Sequence, residues 1–179
     1  MTASISAVPI EETGNIVEEP RRQQFEDLLQ THQAIVFKVA NTYCWHPDDR
    51  ADLVQEIAAQ LWRAWPRYDP ARTFTTWMYR IALNVAISYV REAVRHREIS
   101  VPLDETVHDT VGAPSIGAML DRLQGLQTFI ERQTPLDRAL LLLYLEDKSQ
   151  REIADILGIT QTNVSTKISR LKQKIRAEI

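Results

Sequence analysis

Cysteine is almost absent from this sequence, since only Cys44 carries a thiol among 179 residues. A single cysteine cannot form a disulfide within the chain, which favours a reducing compartment. Cys44 lies between Tyr43 and Trp45 at the apolar end of a predicted helix, so we expect a buried thiol and not a reactive one. The four histidines have no Cys or carboxylate partners at ligand spacing, so we expect no metal site and no cofactor.

Long apolar runs and glycine are also scarce. No run approaches the roughly 20 residues of a membrane span, and the N-terminus lacks the basic start and apolar stretch of a secretory signal. We therefore expect no membrane insertion. The chain has only 5 glycines and no alternation of β-branched residues, while 44% of its residues are hydrophobic. These features predict an all-α fold with a real core, in one or two small domains.

Positive charge is in deficit overall, with a formal net charge of −3, but it is unevenly distributed. Residues 1–20 and 101–120 carry acidic residues and no Lys or Arg. Residues 63–97 hold seven arginines against two acidic residues, and residues 167–179 hold five basic residues against one. Two basic patches on an acidic chain favour a nucleic-acid partner.

The basic stretch before Arg97 contains a long helix that is predicted to begin at Phe74, because the Asp69-Pro70 turn precedes it and no Gly or Pro follows. Its predicted buried residues are Phe74, Met78, Ile81, Ala82, Val85, Ala86, Tyr89, Val90 and Val94. The narrow polar stripe that remains is Thr73, Thr76, Trp77, Arg80, Asn84, Ser88, Arg91 and Arg95. Arginines can pair with phosphates, Asn can hydrogen-bond base edges, and Trp can stack on an unpaired base. The alternative is a core helix with a solvated stripe.

Two further helices are predicted before this one, in a first domain over residues 22–97 behind a disordered acidic tail over residues 1–21. The first runs from Arg22 to Tyr43. Its predicted buried face is Phe25, Leu28, Leu29, Ile35, Val36 and Val39.

The second helix is predicted from Arg50 to Trp65, with Asp48 or Asp49 as its cap. We expect Trp62 to lie in the core with Trp65. The predicted inner stripe is Leu53, Ile57, Leu61 and Trp65, and the residues expected on the other side are Asp52, Gln55 and Glu56.

Residues 98–115 contain two prolines, a glycine and acidic residues without a helical pattern, which predicts a flexible linker. A second helical domain is predicted over residues 116–179. Its first helix starts near Ile116, and the next begins at Thr134-Pro135, where Thr134 can cap and Pro135 suits the first helical position. The apolar residues of these two helices are Leu120, Leu123, Leu126, Phe129, Ile130, Leu136, Leu140, Leu143 and Tyr144.

The end of the chain predicts a helix-turn-helix. Ser149 with Glu152 forms a capping box, Gly158 ends the short first helix, and Thr160 can cap the second. The inner residues are Ile153, Ala154 and Leu157, then Val164, Ile168, Leu171 and Ile175. The outward residues, suited to base edges and phosphates in a major groove, are Gln161, Thr162, Ser165, Thr166, Lys167, Ser169 and Arg170. A helical hairpin with a soluble face is the alternative.

Together these motifs resemble the extracytoplasmic-function group of the sigma-70 family of bacterial RNA polymerase sigma factors. The sequence DLVQEIAAQLWRAW (52–65) is similar to the polymerase-binding helix of region 2, and residues 72–91 to its promoter-melting and −10-recognising part. Residues 151–176 are similar to the −35-recognising helix-turn-helix of region 4. The resemblance covers about residues 22–97 and 116–179.

The resemblance implies roles for individual residues. Those that match contacts with core polymerase are Asp52, Gln55 and Glu56. Those expected to contact −10 DNA are Arg67, Tyr68, Thr73, Trp77, Arg80, Asn84 and Arg91, where Asn84 matches the family residue near the extruded base and residues 67–73 match the loop of its pocket. Ser165 departs from the family, which often has a basic residue there.

The function implied is that of a cytoplasmic sigma factor that binds core RNA polymerase, directs it to promoter DNA and helps to open the −10 element. The family is commonly held inactive by an anti-sigma factor, so such a partner is expected. No nucleophile, metal cluster or phosphate-binding loop is present in the sequence, so we expect no enzyme activity. The alternatives are a dimeric helix-turn-helix regulator of duplex DNA and a helical protein-interaction adaptor.

Overall fold

The computed structural model describes residues 15–99 and 125–178, and these residues form helices without any strand. The helices are α1 (Asn15–His32), α2 (Ala34–Tyr43), α3 (Pro47–Ala64), α4 (Phe74–Ile99), α5 (residues 125–131), α6 (Pro135–Leu145), α7 (Gln150–Leu157) and α8 (Gln161–Glu178), with a 3₁₀ turn at Trp65–Arg67. The all-α prediction is confirmed. None of the described helices has both the length and the apolar content to cross a membrane. The chain divides into two compact units, Met1–Gln33 and Ala34–Ile179.

The predicted first helix is in fact two helices, α1 and α2, separated at Gln33. The Thr31 hydroxyl donates to the Asp27 carbonyl at 2.7 Å, and a side-chain bond of this kind back to the preceding turn bends helices. The predicted buried face is partly confirmed. The buried residues are Phe25, Ile35, Val36 and Val39, whereas Leu28 and Leu29 are half-buried.

Helix α1 also begins earlier than predicted, at Asn15, so residues 15–21 of the expected disordered tail are helical. The first fourteen residues of that tail, and the predicted linker and helix start over 100–124, lie outside the described residues.

Helix α3 begins at Pro47 rather than at Arg50. His46 has extended backbone geometry at the N-cap and makes no side-chain cap hydrogen bond, while Pro47 takes the first helical position. Asp48 and Asp49 therefore lie in the first turn, where they favour the helix dipole, and the prediction that one of them caps the helix is wrong. The predicted inner stripe of Leu53, Ile57, Leu61 and Trp65 is buried.

Helix α4 is one continuous helix, as predicted, and it packs against both α2 and α3. Its buried residues are Phe74, Met78, Tyr79, Ala82, Leu83 and Ala86, and its half-buried residues include Ile81, Val85, Tyr89 and Val90. The side chain of Val94 is outside the described residues. The predicted buried face is therefore only partly confirmed. Tyr79 and Leu83 are buried although they were not predicted to be, and four residues of the predicted set are only half-buried.

Helix α6 begins as predicted, because the Thr134 hydroxyl accepts a hydrogen bond from the Asp137 N–H at 3.2 Å. Phe129, Leu140 and Leu143 are buried. Tyr144 was predicted to pack inward, but its side chain is exposed. The Lys172 ammonium lies 4.3 Å from the centroid of its ring, so the ring makes a cation–π contact with α8 instead of a core contact.

The turn between α7 and α8 has the glycine conformation and the threonine cap that the sequence predicted. Gly158 has a positive φ of 68°, and both its N–H and that of Ile159 donate to the Ala154 carbonyl, at 2.9 Å and 3.2 Å. The Thr160 hydroxyl then accepts from the Asn163 N–H at 3.2 Å and caps α8. Val164, Ile168 and Leu171 are buried as predicted, whereas in α7 Ile156 is buried and Leu157 only half-buried.

The contribution of the capping box at the start of α7 to stability should depend on pH. Hydrogen bonds from the Ser149 backbone N–H and hydroxyl lower the pKa of the Glu152 carboxyl from its usual 4.5. A lowered folded-state pKa means that this stabilisation is complete above pH 4.5 and is lost as the pH falls through the lowered pKa. We expect Glu152→Gln to reduce the free energy of unfolding by about 1 kcal/mol at neutral pH, and by less below pH 4.5, as measured by urea denaturation.

The control for this measurement is Glu92→Gln, which removes an exposed carboxylate from the last third of α4. Its effect should be small at both pH values. If Glu152→Gln reduces the free energy of unfolding by the same amount at neutral and at low pH, the carboxylate charge does not stabilise α7.

Candidate nucleic-acid interface

Four aromatic side chains meet where α3 ends and α4 begins, and we call them the aromatic cluster. Trp65 stacks on Tyr68 with ring centroids 5.1 Å apart and an interplanar angle of 14°. Phe74 lies edge-on to both, at 6.3 Å and 5.7 Å. Trp77 lies 5.0 Å from Tyr68 and 5.4 Å from Phe74. Trp65 and Phe74 are buried while Tyr68 and Trp77 are half-buried, so the cluster has a dry inner side and an accessible outer side.

The loop after Tyr68 is held in place by its own hydrogen bonds. The Tyr68 hydroxyl donates to the Arg72 carbonyl at 2.8 Å. The Asp69 carboxylate accepts from the Ala71 N–H at 2.9 Å, and the Asp69 carbonyl accepts from the Arg72 N–H at 3.0 Å. This Asx-type turn fixes the loop against the aromatic cluster, so the segment expected to form a base pocket has a defined shape before any ligand binds.

The polar stripe of α4 is accessible. Trp77, Arg80 and Asn84 are spaced three and four residues apart, so they lie on one side of the helix. Arg80 and Asn84 are exposed. The exposed arginines of this loop and helix are Arg67, Arg72, Arg80, Arg91 and Arg95, and Thr73 is exposed beside them. Among the described residues, none of these guanidinium groups forms an ion pair, so their charge is available to phosphates.

The α3 residues expected to bind polymerase are not equally accessible. Asp52 and Gln55 are exposed. Glu56 is half-buried, and its carboxylate accepts a hydrogen bond from the Gln60 amide at 2.8 Å and lies 3.7 Å from the Arg63 guanidinium. Glu56 is therefore engaged within its own helix, and Asp52 and Gln55 are the more accessible pair.

Trp62 was expected in the core, and that prediction is wrong, because the residue is 46% exposed. The helical spacing of the sequence already indicated that Trp62 is exposed. Leu53, Ile57 and Leu61 already define the buried stripe, and the next residue lies about 100° around the helix from Leu61. Trp62 comes seven positions after Gln55 and so falls on the same side. An exposed indole there enlarges the surface that α3 offers to a partner protein.

The recognition helix of the helix-turn-helix, α8, presents a mostly uncharged face. The predicted contact residues that are exposed are Gln161, Thr162, Ser165, Thr166, Ser169 and Arg170. Lys167 differs from them, because its ammonium lies 3.1 Å from the Asp137 carboxylate and both side chains are partly buried. This ion pair connects α8 to the start of α6, so Lys167 is less available to DNA than predicted.

Cys44 is buried, as expected, and burial is the main cause that raises the pKa of its thiol. A raised pKa keeps the thiol protonated and weakly nucleophilic. Within residues 15–99 and 125–178, no group of three or more His, Cys, Asp and Glu side chains could hold a metal ion.

Two protein-family profiles match separate stretches of the chain. The profile described as Sigma-70 region 2 matches residues 28–96, and the profile described as Sigma-70, region 4 matches residues 123–175. The first match contains the aromatic cluster and the polar stripe of α4, and the second contains the helix-turn-helix.

Curated proteins similar to this chain are named as RNA polymerase sigma factors. The ECF RNA polymerase sigma factor SigE of Mycolicibacterium smegmatis is 26% identical over 164 residues, covering 85% of this chain but only 60% of that protein. The RNA polymerase sigma factor SigV of Bacillus subtilis is 25% identical over 164 residues, covering 89% of this chain and 95% of the relative. The chain therefore spans about 60% of the length of SigE and nearly all of SigV.

Two solved structures share the fold. CnrH in complex with the cytosolic domain of CnrY has a TM-score of 0.62 at 22% identity, covering 87% of each chain. The sigma factor RpoE in complex with the anti-sigma factor NepR, from Bartonella quintana, has a TM-score of 0.69 at 18% identity, covering 87% of this chain and 96% of the other.

The two tryptophans of α3 and its following turn provide a matched test of the aromatic cluster. Trp65→Ala should lower the free energy of unfolding by about 3–5 kcal/mol, because it leaves a cavity inside the cluster. Trp62→Ala should lower it by much less, about 1 kcal/mol, because nearly half of the Trp62 surface is already exposed and its removal leaves no enclosed cavity. Urea denaturation followed by circular dichroism measures both. Equal losses would mean that the cluster does not hold the start of α4.

Proposed function

Because the chain belongs to the extracytoplasmic-function group of the sigma-70 family of RNA polymerase sigma factors, we propose that it binds core RNA polymerase, directs it to specific promoters and helps to open the −10 element. Residues 22–97 then carry polymerase binding and −10 recognition, and residues 116–179 carry −35 recognition. Residues 98–115 link the two, behind a tail over residues 1–21. The observation that most supports this is the stripe on which the half-buried Trp77 of the aromatic cluster is followed by the exposed Arg80 and Asn84.

Capture of unpaired bases is the physical basis of promoter opening in this proposal. Each base-pair step that opens loses about 1.4 kcal/mol of stacking. A base stacked on an aromatic side chain recovers roughly 1–3 kcal/mol. The half-buried rings of Tyr68 and Trp77 offer such surfaces, Asn84 can hydrogen-bond a base edge, and the exposed arginines can hold the backbone of the separated strand.

The remaining roles follow from accessibility. Asp52 and Gln55 dock α3 onto the polymerase, with Glu56 contributing less because it is engaged within its helix. The exposed residues of α8 hold the chain on duplex −35 DNA, so that the α4 stripe reaches the −10 element. The polymerase supplies the chemistry of RNA synthesis, and this chain supplies none.

We also propose an anti-sigma partner and a cytoplasmic site of action beside the polymerase. The relative CnrH is seen with the cytosolic domain of CnrY, and RpoE is seen with the anti-sigma factor NepR. A dimeric duplex-DNA regulator or a protein-interaction adaptor is less well supported, because neither accounts for the combination of the exposed α3 face with the α4 stripe.

Promoter opening provides the first test. A promoter would be selected from a random library by run-off transcription with core polymerase, and opening would be measured there by permanganate footprinting. Trp77→Ala and Asn84→Ala should each reduce opening by about fivefold or more, since each removes a contact to an unpaired base. Asn41→Ala, an exposed asparagine on α2, is the matched control and should leave opening unchanged. Unchanged opening in both α4 variants would remove the assigned role of the stripe.

Polymerase docking provides the second test. The double variant Asp52→Ala/Gln55→Ala should pull down less core polymerase than the wild type, because both exposed contacts are lost from α3. Asp27→Ala/Gln30→Ala changes two exposed residues of the same types at the same spacing on α1, and it should retain full binding. Equal retention by the two double variants would exclude the α3 face as the docking surface.

A further inference from the structure

A cleft of about 640 Å³ lies between α7 and the start of α4 with its preceding loop. This volume is within the range of small-molecule sites in proteins. One wall comes from the polar stripe of α4 and the loop, and the other wall comes from α7. The charged and aromatic side chains of the two walls are Arg72, Trp77, Arg80, Arg151, Glu152 and Asp155.

Contacts of the turn between α6 and α7 fix α7 beside α4. The Glu146 carboxylate lies 2.6 Å from the Lys38 ammonium of α2, and the same oxygen accepts a hydrogen bond from the Tyr79 hydroxyl of α4 at 3.2 Å. Nearer to α7, the Lys148 ammonium lies 5.8 Å from the centroid of the Tyr79 ring. A ligand that contacts both walls of the cleft therefore finds them already in position, which lowers the entropic cost of binding.

Three arginines share the cleft. Arg72 and Arg80 come from the α4 wall and Arg151 from the α7 wall, and all three are exposed. Among the residues that the structure describes, none of these three guanidinium groups forms an ion pair. Like charges around one cavity repel each other unless an anion lies between them. Planar guanidinium groups also match the oxygens of a phosphate, so the cleft is suited to a phosphorylated ligand.

The two carboxylates of the α7 wall do not cancel this positive charge. The Glu152 carboxylate is engaged in the capping box, where it accepts from the Ser149 N–H at 2.9 Å, and it lies 3.6 Å from the Lys148 ammonium. Asp155 is exposed and follows Arg151 by four residues, so both lie on the same side of α7. The cleft thus has one accessible acidic acceptor beside three guanidinium groups, which matches a ligand with both phosphate and hydroxyl groups.

The indole of Trp77 gives the cleft a flat apolar surface. Its ring is half-buried and lies 5.0 Å from Tyr68 and 5.4 Å from Phe74 between centroids, so the aromatic cluster fixes its position. Aromatic side chains of this kind stack on nucleic-acid bases irrespective of sequence. We propose that the cleft binds a nucleoside triphosphate, with its base on Trp77, its phosphates among the three arginines and a ribose hydroxyl donating to Asp155.

Such a ligand competes with promoter DNA. In the proposed function of the stripe, the −10 strand uses Trp77 and Arg80, and one indole cannot stack on a nucleotide and on a promoter base at the same time. Only this competition rests on the proposed function, since binding of the nucleotide rests on the cleft itself. Arg151 separates the two ligands, because it belongs to α7 and not to the stripe.

Isothermal titration calorimetry on the full chain tests nucleotide binding with three probes, which are ATP, inorganic tripolyphosphate and adenosine. ATP should bind more tightly than tripolyphosphate by about fivefold or more, because a stacked base adds to the phosphate contacts. Adenosine has no phosphates and should bind most weakly. Equal affinities for ATP and tripolyphosphate would overturn the assignment of a nucleotide, and no binding of ATP at millimolar concentration would overturn the site.

Two arginine variants separate the cleft from a general attraction of ATP to positive charge. Arg151→Ala should weaken ATP binding by about tenfold, since it removes a charge-assisted contact with a phosphate. Arg132→Ala removes the same charge from an exposed position outside the cleft, and it should leave the affinity unchanged. Trp77→Ala should weaken the binding of ATP but not that of tripolyphosphate. Equal losses in the two arginine variants would contradict the inference.

Competition is measured by fluorescence anisotropy with a labelled single-stranded oligonucleotide that carries the −10 sequence of the selected promoter. ATP should displace it from the wild type, and Arg151→Ala should need about tenfold more ATP for the same displacement. Binding of ATP without displacement would overturn the competition.

The nucleotide site and the proposed function can fail separately. If ATP does not bind while Trp77→Ala and Asn84→Ala still reduce promoter opening, the inference fails and the function of the stripe stands. If ATP binds while neither variant reduces opening, or while the oligonucleotide does not bind the wild type at all, the proposed function of the stripe fails and the nucleotide site stands.

Discussion

The burial of α4 is the constraint on which the rest of the structure depends. Met78, Ala82 and Ala86 are inaccessible to solvent, and the small alanines allow neighbouring helices to approach closely. A helix enclosed on several sides has a fixed rotation, so its polar stripe can face only one way. The aromatic cluster extends this rigidity to the loop before α4, where Tyr68 is bonded to the backbone of its own loop. A surface ordered before binding loses less conformational entropy when a strand is captured.

Features that arise from a few neighbouring residues were predictable from the sequence. The capping box at Ser149, the glycine turn at Gly158 and the cap at Thr160 depend on residue types at short spacing, and the structure has all three. The buried stripes of α3 and α8 follow from helical periodicity for the same reason. The stripe of α4 was predictable by elimination, because apart from Trp77 that side carries only polar and charged residues. The role of each residue in that stripe came from family resemblance and not from periodicity.

Features that depend on distant partners were not predictable. Tyr144 has the spacing of a core residue, but it is exposed and its ring contacts the ammonium of Lys172, which lies on α8. Lys167 has the position of a DNA contact, but Asp137, distant in sequence, binds it. Trp62 is a different case: it was predicted to lie in the core with Trp65, although its angular position on the helix already placed it outside the buried stripe. The junction of α6 with α2 and α4 joins residues far apart along the chain, which no local pattern encodes.

The ion pair between Lys167 and Asp137 has a consequence for the proposed binding of α8 to −35 DNA. Each cation that a protein sets on a phosphate releases condensed counterions, and this release is the main source of attraction to DNA of any sequence. A recognition face with one cation withdrawn and hydroxyl and amide groups in the majority releases few of them. In the proposed −35 contact, such a face would bind DNA of arbitrary sequence weakly, and hydrogen bonds with base edges would then determine which sites are selected.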